Sequence, residues 1–196
     1  MGLSIHYNGR FSRSASLRSM IEEVEDVAKI YNWKYHVFEI AFPDGSRNME
    51  EYDQSVYGIS FSPEKCEPIF LCFLSNGKMS SPQNLQIWGK DAPTPNEQFL
   101  YLLSTKTQYA GYEVHMVIIH LLKYLGGKYF VELHVTDESS YWERGDKTLV
   151  KEAFERYNQM MDNFSLMLEN IPARRNETID EFINRLFAYI ENKQKP

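Results

Sequence analysis

The residues best suited to chemistry lie in two stretches. The denser is Glu132-Leu133-His134-Val135-Thr136-Asp137-Glu138, followed closely by Tyr141-Trp142-Glu143. Glu132 and His134 stand two apart in a β-rich run, so their side chains share one face of a strand. With Asp137 and Glu138 they offer the ligand types of a divalent cation, or a carboxylate–imidazole pair for general base work. The plainer alternative is a solvated strand edge and loop, because one histidine among several acids is common in an acidic chain. Tyr141 and Trp142 in the same turn either plug the core or form the lip of a pocket.

The second stretch runs from Thr105 to His115. It gathers Lys106, Gln108, Tyr109 and Glu113 at the entrance of a predicted helix, where free backbone N–H groups and the helix dipole favour a small anion. Alternatively, Thr107 caps the helix and Lys106 is solvated. His115 borders the apolar stripe of that helix and is expected to be partly buried and hydrogen-bonded. His115 and His120 project about 140° apart, so they do not share a metal. A metal-assisted hydrolase would need Glu132, His134 and Asp137 or Glu138 as ligands, with His115 as fourth ligand or base and Lys106 as anion contact, all in one pocket. The sequence contains no phosphate-cradling glycine loop, nucleophile elbow or paired-cysteine metal motif. It identifies no reaction and implies no cofactor.

These residues must be positioned by a mixed set of elements. Alternation from Leu3 to Phe11 predicts a strand, and Leu17, Met20, Ile21, Val24, Val27, Ala28 and Tyr31 recur at helical spacing after a Ser-rich start. Strands are expected over 33–42, 56–62 and 68–74, with Asn76-Gly77 as the strongest hairpin signal. A short strand is expected at 85–88 and another at 99–104. A second helix is predicted from about Thr107 to Leu125, stopped by Gly126-Gly127, and then a strand over 129–135. From residue 147 the period is helical to 170, Pro172 breaks it, and Thr178-Ile179-Asp180-Glu181 opens a fourth helix with a capping box.

This order departs from the strict alternation that builds parallel sheets, so the expected class is α+β, a mostly antiparallel sheet with helices over one face. The order is similar to the TATA-binding-protein-like architecture, which by itself implies no DNA binding. The expected organisation is a sheet domain over 1–145 with a helical segment, 146–196, packed on it.

With 196 residues, 43% hydrophobic and 24% charged, the chain can bury roughly 70% of its unfolded surface without disulfides or metals. A net charge of −6 gives no basic field for nucleic acid, and no apolar run approaches a membrane span. The start Met1-Gly2-Leu3-Ser4-Ile5-His6 lacks the basic-then-apolar layout of a secretory signal, so the cytoplasm is the expected compartment, and Cys66 and Cys72 are expected to be reduced and buried.

Four groups of residues carry a family resemblance: Leu3-Ser4-Ile5-His6-Tyr7, Cys66-Glu67-Pro68, Lys106-Thr107-Gln108-Tyr109-Ala110 with Glu113-Val114-His115, and Asp137-Glu138 with Tyr141-Trp142. Together they look like an uncharacterised family of bacterial soluble cytoplasmic proteins, over residues 3 to 145. The resemblance implies no activity, cofactor or partner. The leading expectation is a cytoplasmic domain that binds a small ligand or a protein. The alternatives are the hydrolase above and a homodimer joined through its C-terminal helices.

Overall fold

The computed structural model describes residues 2–170, 174 and 177–185. The chain divides into two compact units, Met1–Phe154 and Glu155–Pro196. The first contains strands β1 (Ser4–Phe11), β2 (Lys34–Val37), β3 (Tyr57–Ser62), β4 (Ile69–Phe73), β5 (Leu103–Lys106) and β6 (Phe130–Asp137). Its helices are α1 (Leu17–Ile30), α2 (Pro82–Trp88), α3 (Glu97–Leu100), α4 (Tyr112–Tyr129), α5 (Tyr141–Arg144) and the opening turns of α6 (Lys147–Asn170). The strands form two antiparallel sheets, ordered β5-β1-β6 and β2-β3-β4. The class is therefore α+β with antiparallel pairing, as the element order predicts.

The two sheets are joined along β1. The chain leaving β4 turns back at Asn76-Gly77, where Gly77 takes the left-handed conformation with φ 80°. The returning residues bond to both sheets. Ser80 N–H donates to Cys72 at 3.0 Å, Met79 N–H donates to Gly9 at 2.9 Å, and Phe11 N–H donates to Gly77 at 2.8 Å. Toward the other end of β1, β5 takes over the same slot, with Glu67 N–H donating to the Lys106 carbonyl at 3.1 Å. A side chain completes the seam: the Tyr7 hydroxyl accepts from Phe70 N–H at 3.0 Å and donates to the Phe70 carbonyl at 3.3 Å. Burial pushes the Tyr7 hydroxyl pKa upward, so it stays protonated and remains a donor.

The core follows from the alternation. Ile5, Tyr7 and Phe11 of β1 are buried, and Phe11 meets Phe73 edge-on with ring centroids 5.0 Å apart. Ser16 caps α1 by accepting from Ser19 N–H at 3.2 Å, and the helix buries Leu17, Met20, Ile21, Val24 and Ala28. It packs on β2 and β3, while α4 packs on β6 and touches α1. Much of the aromatic content is spent here, including Trp33 stacked on Phe61 at 5.3 Å.

Several local expectations are corrected. Residues 85–88 are helical: Ser81 accepts from Asn84 N–H at 3.1 Å and Pro82 sits in the first turn, a start signal that outweighs the β-prone Leu-Gln-Ile-Trp run. The strand expected at 99–104 is split, because the Asn96 side chain caps α3 and β5 begins only at Leu103. Gly126 and Gly127 do not stop α4. A Cβ added at Gly126 would lie 2.8 Å from Leu133 Cδ2, so this glycine lets the helix close on β6. Cys72 is fully buried but Cys66 only partly, and neither is bridged.

Val150 and Phe154 on α6 are buried, which carries the first unit beyond residue 145. In the second unit, the capping box forms as the sequence predicts. Thr178 N–H donates to Glu181 Oε2 at 2.9 Å, and Glu181 N–H donates to Thr178 Oγ1 at 3.3 Å. The fourth helix runs from 179 to the last described residue, 185; Pro172 and the rest of that helix lie outside the described residues. Among the described residues no helix is long and apolar enough to cross a membrane.

Replacing Tyr7 by Phe keeps the ring and leaves the Phe70 amide and carbonyl without their hydroxyl partner. The expected cost is about 1–2 kcal/mol, seen as a lower urea midpoint at unchanged slope. An unmoved midpoint would show that the seam does not depend on this hydroxyl.

Candidate functional site

The register of β1 decides which candidate residues meet. Ile5 pairs with Thr105 on one side and with Asp137 on the other, so the ends of β5 and β6 lie level with each other. The helix α4 starts at the same level, from an N-cap at Gly111 with φ 92°, and its first turn lowers His115 between them. Thr107 Oγ1 lies 2.7 Å from His115 Nδ1. Ser139 Oγ lies 2.9 Å and Asp137 Oδ1 3.1 Å from His115 Nε2. Asp137 also accepts from Ser139 N–H at 2.8 Å, from Ser139 Oγ at 2.9 Å and from Trp142 N–H at 3.0 Å. The His115 and Asp137 side chains are wholly excluded from solvent.

Burial alone would raise the pKa of the Asp137 carboxyl. The hydrogen bond and charge of His115, with the Ser139 and Trp142 amides, outweigh burial and hold it down at about 2. The ionised carboxylate thus lies against Nε2, while Nδ1 faces Thr107.

This group contains Ser, His and Asp, but its connectivity is wrong for acyl transfer. A base in such a site stands between the nucleophile on one ring nitrogen and the acid on the other. Here Ser139 and Asp137 share Nε2, and the Ser139 hydroxyl donates to the carboxylate. The node instead ties the α4 entrance to the turn after β6, and it satisfies polar groups that would be costly if buried alone.

The remaining candidates separate. Glu132 and His134 lie 4.0 Å apart with side chains 57% and 70% exposed, on the opposite side of β6 from Asp137. Glu138 Oε2 accepts from Ser4 N–H at 2.7 Å. Among the described residues no group of three His, Cys, Asp or Glu is placed to hold a metal ion. At the helix entrance, Lys106 Nζ lies over the Tyr109 ring at 5.8 Å, and Tyr109 is 58% exposed. The Gln108 side-chain amide is buried without a hydrogen-bond partner among the described residues. Glu113 occupies the first turn of α4, where it already supplies the negative charge the dipole favours. Thr107 does not cap this helix, since its hydroxyl serves His115 and the Leu3 carbonyl. Tyr141 is buried with its hydroxyl 3.1 Å from His120 Nε2, and the Trp142 ring lies 5.3 Å from Lys123 Nζ. Neither lines the open recess described next.

An open recess of about 530 Å³ lies elsewhere, among residues the sequence did not single out. Leu100 of its lining belongs to a small separate core with Leu74 and Leu85, against which Tyr52, Trp88 and Tyr101 pack. Trp88 closes α2, and Tyr52 meets Tyr101 edge-on at 6.5 Å. Glu50, Glu51 and Glu97 line the recess together with Lys90. Lys78 bridges Glu50 at 2.9 Å and Glu97 at 3.3 Å, and Arg10 reaches Glu50 at 3.3 Å. Hydrogen bonds from Lys78 and then Arg10 hold the Glu50 carboxyl below its usual range. The one signal in the sequence was the Pro93-Thr94-Pro95-Asn96 loop, which carries Pro95 and Asn96 to the recess wall.

No family model, no curated protein and no solved structure matches this chain.

The Asp137 carboxylate makes the node acid-sensitive. Its folded pKa lies below the ordinary 3.8, so its contribution is complete above that value and is lost as pH falls toward about 2. For a shift of this size the loss is about 2 kcal/mol. Urea unfolding from neutral pH downward should show this decline in the natural protein, and Asp137→Asn should be less stable at neutral pH with a flatter acid limb. Parallel pH profiles for the two proteins would refute the assignment.

Proposed function

We propose that this chain is a cytoplasmic binding domain whose site is the recess bounded by Tyr52, Trp88 and Tyr101, and that it takes a small organic ligand. The observation that carries this reading is the contrast between the two polar centres. His115 and Asp137, with the strongest intrinsic chemistry, are sealed from solvent, whereas the recess is open. Its volume of about 530 Å³ falls within the range of small-molecule sites, and aromatic walls with a few charged groups are what such sites use. Two unbridged cysteines fit a reducing compartment.

The test is a fragment screen by ligand-observed NMR on the natural protein and on Trp88→Ala, with circular dichroism confirming that the variant folds. Removing the indole should weaken hits by about tenfold or more. Hits that bind the folded variant unchanged would place the ligand site elsewhere.

A further inference from the structure

We propose that the ligand of this recess presents an organic cation, an ammonium or guanidinium group, to the rings of Tyr52, Trp88 and Tyr101, in the place the Lys90 ammonium now takes. The inference rests on the reading of the recess as a binding site and specifies the ligand's chemistry.

Two of the three rings already hold a cation of the chain itself. Lys78 Nζ lies 4.8 Å from the Tyr101 centroid and Lys90 Nζ lies 5.4 Å from that of Tyr52. Positive charge over an aromatic face is drawn by the ring quadrupole, and it is drawn harder where carboxylates stand nearby. The two lysines are held differently. Lys78 is 24% exposed and clamped between Glu50 and Glu97, so it is part of the wall. The exposed Lys90 ammonium donates to the Tyr52 carbonyl at 2.9 Å and forms no ion pair among the described residues. Water can replace that hydrogen bond, and a cationic ligand can replace the contact of this ammonium with the Tyr52 ring, so displacing it costs little. The Lys90 backbone amide, which donates to the Tyr52 hydroxyl at 2.8 Å, stays in place when the side chain leaves.

The charge around the recess agrees. Glu50 and Glu97 are balanced by Lys78 and Arg10, whereas Glu51, also on the lining, has no ion pair among the described residues. The Glu51 carboxylate therefore brings an unbalanced negative charge to the same lining as the three rings. A cation satisfies both. An anion is repelled by the unbalanced Glu51, and a neutral ligand gains nothing from it.

The test is titration calorimetry with tetramethylammonium, butylamine, a peptide carrying one trimethyllysine, the neutral isostere neopentyl alcohol, and acetate. It is run on the natural protein, Lys90→Ala, Glu51→Gln and Trp88→Ala, each checked for an unchanged melting transition. The cations should bind about three- to thirtyfold more tightly than neopentyl alcohol. Lys90→Ala should strengthen them severalfold, and Glu51→Gln and Trp88→Ala should weaken them. Preference for the peptide over the free amines would mean that the cation is borne by a protein side chain, and the reverse that it is a free small molecule. Equal binding of neopentyl alcohol and the cations would overturn the cation proposal while leaving the recess a binding site. Acetate binding abolished by Lys90→Ala would overturn it in favour of an anion anchored on Lys90. Failure of every probe on both the natural protein and Lys90→Ala would overturn it as well, and the fragment screen would then decide whether the recess binds anything.

Discussion

Everything in the first unit depends on β1 being bonded along its length on both sides. One side is a ladder with β6 that shifts register between Arg10 and Phe11; the other side bonds to β5 and to the chain returning from Asn76-Gly77, and the Tyr7 hydroxyl ties β1 to β4. None of these alone spans the gap between β1 and β4. A β-strand with an unpaired edge inside a core would carry orphaned amides and carbonyls, each costing about as much as a lost hydrogen bond. The composite seam removes that cost, and it lets Phe11 and Phe73 from different sheets pack ring to ring.

The seam also explains where the polar centres lie. Because β5 and β6 flank β1 in a register that aligns Thr105 and Asp137, the chain must bring two strand ends and a helix start to one place. Such a junction collects unsatisfied backbone groups, and His115 with Asp137, Ser139 and Thr107 fills it. A histidine and an ionised carboxylate in a sealed site persist only because both ring nitrogens and both carboxylate oxygens have partners. That requirement makes the node a fastener between the α4 entrance and the turn after β6. The recess arises from the opposite circumstance. The helices α2 and α3 bury a few leucines of their own, which leaves larger rings at the border of that small core half-covered.

Element types were largely legible in the sequence, because alternation in β1 and the three-four spacing in α1 and α4 report burial directly. The errors had local causes. The run at 85–88 has strand-like composition, but a serine cap and a proline start set it as helix. The glycine pair at 126–127 reads as a stop only until β6 is seen to lie against it. Of the candidate site residues, His115, Asp137 and their turn were found by residue type, but the sequence could not show that His134 and Glu132 face the other way from Asp137 in depth and surroundings.

The sequence by itself determined the α+β class, the acidic surface, the hairpin at Asn76-Gly77 and the capping box at Thr178, since these depend on residues within one helical turn or one hairpin of each other. The tertiary structure decided that the two sheets join at β1, that the histidine with the best partners is sealed, and that Tyr52, Trp88 and Tyr101 share one wall. Contacts between residues far apart along the chain are set by strand register and helix docking, and those are fixed by the packing of the whole core and not by any local pattern.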